Sequence, residues 1–104
     1  MRIRLLDFAE RDLADGARFY ERQQAGLGDY FLDSLFSDID GLLLYAGVHV
    51  KRFGLHRALS HRFPFAIYYQ VAGEEIRVCA VLDCRRDPQR IARQLAPRSP
   101  TQPR

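Results

Sequence analysis

His61-Arg62-Phe63-Pro64-Phe65-Ala66-Ile67-Tyr68-Tyr69-Gln70-Val71 is the stretch that decides the fold. From Phe63 to Val71 it is rich in aromatic and β-branched residues and reads as a strand, with Pro64 tolerated near its start. Ala72-Gly73-Glu74 follows as a turn, and Ile76 to Asp83 reads as a second strand. Two such runs separated by a few residues including glycine predict an antiparallel hairpin. Strict alternation would place Ile76, Val78, Ala80 and Leu82 on one face and Arg77, Cys79, Val81 and Asp83 on the other. It also turns Tyr68 and Tyr69 to opposite faces, so only one of them can stack on a ligand.

Upstream of the hairpin the texture is helical. Phe31, Leu32, Leu35, Phe36, Ile39, Leu42 and Leu43 form one broad apolar stripe, and Asp29, Asp33, Asp38 and Asp40 populate its outer side. The Leu32–Leu43 stripe is expected to be core. Gly26-Leu27-Gly28 separates this helix from an earlier one, in which Ala9, Leu13, Ala17 and Tyr20 share a face. Arg11, Asp15, Arg18 and Arg22 lie opposite, with Arg11–Asp15 at pairing distance. Asp7 or Glu10 opens that helix, and Ile3 to Phe8 reads as a short first strand. Residues 48–62 read as a loop leading into a strand. Downstream, residues 87–95 read as a short helix with Asp87 as cap and Pro88 in its first position. Ala96 to Arg104, with three prolines and no apolar period, reads as a frayed tail.

The order predicts an α+β fold, with two N-terminal helices packed on one face of a small antiparallel sheet and a short C-terminal helix. The other sheet face is expected to be only partly covered, with basic residues gathered there or at its edge. Residues 1–95 are expected to form a single domain, with residues 96–104 as a flexible tail. The chain has 104 residues, enough for one two-layer core and no separate nucleotide-binding domain. No apolar run exceeds the five residues of Leu42 to Ala46, and an acid arrives at Asp7, so neither a membrane span nor an export signal is expected. Cys79 and Cys84 form no CxxC pair, and His49, His56 and His61 complete no zinc spacing, so no metal or cofactor is expected. A cytoplasmic protein is the expectation.

Charge is unevenly distributed. Residues 1–48 carry a net charge of −4, residues 49–104 a net of +7, and arginines outnumber lysines fifteen to one. A basic half predicts an acidic or polyanionic partner, and the planar guanidinium fork suits phosphate and carboxylate. Arg57, Arg62, Arg77, Arg85 and Arg86 are the candidate phosphate or target contacts, with Tyr68 as a candidate stacking residue. His61 is the titratable group placed beside them for proton transfer. Asp83 can serve as a base only with a raised pKa. No recognition-helix pattern is present, so direct sequence-specific reading of DNA by this chain is not expected.

His61 to Tyr69 resembles the "RFPYAIYY" strand of the RelE/ParE superfamily of bacterial toxins, also known as plasmid stabilisation proteins. Asp12-Leu13 through Phe19-Tyr20-Glu21 resembles the family's first helix, Leu27-Gly28 with Phe31-Leu32 its second, and Arg85-Arg86-Asp87-Pro88 its "RRDP" ending. The matches run in order over about residues 3 to 93. The resemblance implies two helices on a four-stranded, mostly antiparallel sheet, and the toxin of a type II toxin–antitoxin pair. Such a toxin is a growth inhibitor neutralised by a cognate, acidic antitoxin that wraps it with a helix and an extended segment and contacts the operator. Charge complementarity and strand addition at a sheet edge would both serve that partner.

Family mechanisms divide. ParE-like members bind DNA gyrase, whereas RelE-like members cut messenger RNA on the ribosome without a metal. Cleavage of that kind would use His61, Arg62, Arg85 and Arg86, with Arg57 on phosphate. The sequence departs from the nuclease pattern. Asp83 stands where related sequences often carry His, no Tyr or His follows Tyr69, and Ile91 replaces a frequent Trp. The binding, ParE-like mechanism is therefore the leading expectation and the mRNA endonuclease the alternative. A decayed toxin that keeps only its antitoxin interface is a further one.

Overall fold

The computed structural model describes residues 1–98. Strand β1 (Arg2–Leu5) leads into helices α1 (Asp7–Gln23), α2 (Leu27–Asp40) and the single turn α3 (Leu42–Tyr45). Strands β2 (Lys51–Arg52), β3 (Leu55–Leu59), β4 (Phe65–Ala72) and β5 (Glu75–Asp83) follow, then helix α4 (Pro88–Leu95) and a 3₁₀ turn over Ala96–Arg98. The architecture is α+β. The sheet has five strands rather than four, in the order β1-β5-β4-β3-β2. The additional strand is the two-residue β2, too short for an alternation signal. Only β1 runs parallel to its neighbour β5; the other pairs are antiparallel.

The β4–β5 hairpin is the centre of the sheet. Gly73 supplies the positive φ of its turn, at 61°. The hairpin departs from strict alternation, because Tyr68 faces Ala80 while Tyr69 faces Val78, leaving Cys79 as a bulge. A bulge inserts one residue and reverses the side-chain parity beyond it. Ile76, Val78 and Val81 therefore pack under α1 and α2, whereas Cys79, Ala80 and Leu82 pack on the opposite face. The expected single-face row 76, 78, 80, 82 is corrected accordingly.

That opposite face is also not open. Ile91 and Leu95 of α4 seal it against Leu55, Ala66, Tyr68, Ala80 and Leu82. Tyr68 belongs to this second cluster and is 1% exposed. Its ring is inside the sheet–helix layer and is not presented to a base, which corrects its candidacy as a stacking residue.

Helix α1 buries Ala9 and Leu13 with Gly16, and Ala17 and Tyr20 at their edge, as the spacing predicts. Arg18, not Arg11, pairs with Asp15; Arg11 lies over the Phe8 ring at 5.8 Å. The α1–α2 junction is held by Glu21, whose carboxylate accepts hydrogen bonds from the Gly26 and Gly28 N–H groups at 3.0 to 3.1 Å. Those bonds also lower its pKa. The helices meet closely there: a Cβ on Gly28 would lie 2.7 Å from the Ala17 carbonyl oxygen. Backbone cannot yield as a side chain can, so Gly28→Ala is expected to destabilise the fold by about 1–3 kcal/mol in urea denaturation. A loss under about 0.5 kcal/mol, the ordinary range for a surface change, would show the contact to be slack.

On α2 the core line runs through Phe31, Leu35 and Ile39. Phe36 and Leu43, expected in the core, are 41% and 49% exposed. Each lies one residue, hence about 100° of helix, past a core position (Leu35 and Leu42), which turns it outward. At the C-terminal end, Asp87 caps α4 by accepting from the Gln89 N–H at 3.3 Å, and Pro88 takes the first turn as read. Ala96–Arg98, read as part of the tail, instead form a 3₁₀ turn, and Arg98 is 9% exposed and bonded to Asp12 at 2.7 Å. Residues 99–104 of that tail lie outside the described residues.

Candidate functional site

The pairing register sorts the candidate residues into two groups. Phe65 faces Asp83, and the Cys84 N–H donates to the Pro64 carbonyl at 2.9 Å. The turn carrying His61 and Arg62 therefore shares one end of the sheet with Arg85 and Arg86. Arg77 does not join them. It faces Gln70 and Arg4, six residues and roughly 20 Å back along β5, where its Nε donates to Glu75 at 2.6 Å. Arg57 occupies mid-β3, opposite Tyr68 and half-buried. A common surface for all five arginines is thus corrected to an end cluster plus Arg57, with Arg77 apart.

Within the end cluster, Arg85 grips Asp83 through two parallel bonds of 3.0 and 2.7 Å, and its backbone N–H adds a third at 2.9 Å. Bidentate pairing of this kind is directional and fixes the guanidinium plane. It lowers the Asp83 pKa, chiefly through the Arg85 side-chain hydrogen bond, and raises that of Arg85. The lowered pKa makes Asp83 a weaker proton acceptor than a free carboxylate, and Arg85 occupies both of its oxygens. Arg86 turns away, donating to the Gln94 Oε1 on α4 at 2.7 Å rather than pairing with Asp83 or Asp87.

His61 has a partner that spacing alone did not reveal. Its Nδ1 lies 2.6 Å from Asp38 Oδ1, and the same carboxylate accepts from the Ser60 hydroxyl at 2.7 Å and the His61 N–H at 3.2 Å. Asp38 lies in the last turn of α2 with its side chain 10% exposed, so the helix anchors Nδ1 of a ring that is otherwise exposed. This pair borders a cleft of about 550 Å³, floored by Leu42, Ala58 and Ile67 and edged by Tyr45, His49 and Arg62. His49 is fixed in turn by the buried Tyr69 hydroxyl, 2.6 Å from its Nδ1, which also accepts from the Gly47 N–H at 3.0 Å.

An aromatic cluster supports the arginine end. Tyr20 stacks on Phe31 at 5.3 Å and meets Phe63 edge-on at 4.8 Å, while Tyr30 lies 5.6 Å from Phe63. Burial raises the Tyr20 pKa, partly offset by Arg85. Phe19 and Tyr30 remain exposed beside this cluster. Exposed rings next to guanidinium groups are the composition of protein-binding anchors. Sequence reasoning missed this grouping, since Phe19, Tyr20, Tyr30 and Phe63 come together only when both helices pack beside the β3–β4 turn. Among the described residues no group of three or more His, Cys, Asp or Glu could hold a metal ion, and no helix is long and apolar enough to cross a membrane.

No protein-family model matches the sequence, and no curated protein matches it. Among solved structures, the chain is similar to one from the "Chromosomal ParDE TA system from P. aeruginosa", with a TM-score of 0.70. The match covers 78% of this chain and 92% of that one. The two share a fold. Their sequences are 19% identical, so the likeness is one of architecture.

Proposed function

We propose that this chain is the toxin of a type II toxin–antitoxin pair, acting by binding a macromolecular target of the ParE kind, such as DNA gyrase, and held in check by an acidic antitoxin. The observation that carries the binding mechanism is the Arg85–Asp83 pair. A guanidinium tied at both ends to an ionised carboxylate is poorly placed to stabilise a phosphorane, and the acid beside it repels phosphate. The same rigid pair, beside Tyr20 of an aromatic cluster whose Phe19 and Tyr30 are exposed, suits a protein surface. The likeness to a ParDE component supports the toxin–antitoxin setting.

A metal-free mRNA endonuclease is the second reading, favoured by His61 on Asp38. In it, His61 Nε2 would take the 2′-hydroxyl proton while Arg62 holds the phosphate. The experiment is induction of the chain without its operon partner, followed by a map of RNA 5′ ends and an assay for gyrase-trapped DNA breaks. Growth arrest with an unchanged RNA map, retained by His61→Ala, is the expected result. Codon-phased cuts that vanish in His61→Ala would replace it with the nuclease. Unimpaired growth would leave only a partner-binding fold.

A further inference from the structure

Exposed apolar side chains crowd the stretch from α3 to the tip of the β2–β3 hairpin. Leu44, Val48 and Val50 are 80%, 71% and 74% exposed, and Leu43, Tyr45 and Phe53 are exposed in the same stretch. Single exposed hydrophobics are ordinary, but a run of this kind along one segment marks a binding surface. Phe53 is the sharpest anomaly. β2 and β3 are joined by a two-residue turn, in which Phe53 and Gly54 both take positive φ, at 57° and 82°. Asn, Asp or Gly is favoured at the first of those positions, and a bulky side chain there is strained. The tip thus holds a partly exposed ring where folding alone would select against one.

A receiving site lies toward the other end of β3. The cleft of about 550 Å³ is floored by Leu42, Ala58 and Ile67 and edged by Tyr45 and His49. Ala58 is four residues past Gly54, so knob and cleft stand roughly 14 Å apart along one strand. Charge divides the same way. Lys51 and Arg52 flank the tip, and among the described residues neither forms an ion pair. At the cleft end, α2 finishes with Asp38 and Asp40 and has no basic residue in its last turn. A helix C-terminus disfavours acids. Asp38 is bonded to His61, whereas the exposed Asp40 has no ion-pair partner among the described residues.

We infer that this face is the interface of a homodimer, in which two copies meet about a two-fold axis with their β2–β3 hairpins antiparallel and each Phe53 seated in the other's cleft. An interface of that symmetry must be complementary to itself. A rotation that exchanges the two ends of β3 carries the knob of each copy to the hole of the other and Lys51 to the other copy's Asp40. The exposed Leu44, Val48 and Val50 are then covered between the copies. Knob and hole are both used by a single partner, so the assembly closes at two instead of growing into a filament. The inference goes beyond the proposed function and does not depend on toxicity.

The test is sedimentation equilibrium of the full-length chain over a wide concentration range, for wild type, Phe53→Asn, Asp40→Lys, Lys51→Glu and the double charge variant. Wild type is expected to reach twice the chain mass and no more. Phe53→Asn removes the knob and supplies a residue the turn favours. It is expected to weaken the dimer about tenfold or more, with the thermal unfolding of the dilute monomer not lowered. Asp40→Lys and Lys51→Glu each change an exposed side chain and each weaken the dimer, and the double variant recovers it because the reversed pair forms again across the axis. A chain that stays monomeric at every concentration would overturn the inference and leave the face to a different protein or to RNA. So would a dimer that Phe53→Asn leaves intact, growth past two copies, or a double variant weaker than either single one.

Discussion

Arg98→Ala is expected to cost about 3–5 kcal/mol at neutral pH, the range for removing one partner of a buried ion pair. Asp12 and Arg98 are 10% and 9% exposed, and they join α1 to the 3₁₀ turn that follows α4. Asp12 Oδ2 accepts from Arg98 at 2.7 Å and from the Val81 N–H at 3.0 Å, so three elements meet at one carboxylate. Arg98 also lies over the Phe8 ring at 4.5 Å. Burial raises the Asp12 pKa, with the Arg98 and Val81 hydrogen bonds pulling the other way. A carboxyl whose pKa is higher in the folded state binds its proton more tightly there, so its ionisation costs stability as pH rises.

Removing Arg98 deletes a lowering influence and raises the folded pKa further. The deficit of the variant is then full above that folded pKa and fades as pH falls to the unfolded value of 3.8. Urea denaturation of both proteins at neutral pH and near that value checks the sign. A deficit independent of pH would show that Arg98 acts by packing alone.

Leu95→Ala is expected to cost about 2–5 kcal/mol, a large share of the total stability of a domain this size. Leu95 is fully buried against the sheet face opposite the long helices. Were that face open, truncation there would cost no more than an ordinary surface change, about 0.5 kcal/mol. Thermal unfolding separates the two, since each kcal/mol moves Tm by roughly 4–8 °C at this length. The outcome decides whether α4 is a second layer of the core or an appendage.

The basic second half is legible from composition, but its use is not. Arg57, Arg62, Arg77, Arg85 and Arg86 look alike in the sequence, yet each meets a different fate. Arg77 is bound to Glu75, Arg85 to Asp83 and Arg86 to Gln94, whereas Arg57 sits in mid-β3 and Arg62 edges the cleft beside His61. Asp83 and Arg85, two residues apart, are close enough for the pairing to be anticipated. Asp38 and His61 are 23 residues apart and meet only because α2 ends over the β3–β4 turn.

The sequence by itself determined helices α1, α2 and α4, the β4–β5 hairpin and their order. Helix periodicity in α1 and α2, the Gly73 turn and the Asp87-Pro88 cap are local signals, carried by residues within a few positions of one another. Tertiary structure decided which faces were buried. The Cys79 bulge reverses the row on β5, α4 closes the second face over Tyr68, and Asp12 draws in Arg98 from 86 residues away. The physical reason is reach. Propensity acts over one turn or one hairpin, whereas register, layer closure and buried charge pairing depend on partners distant in sequence that only the folded chain brings together.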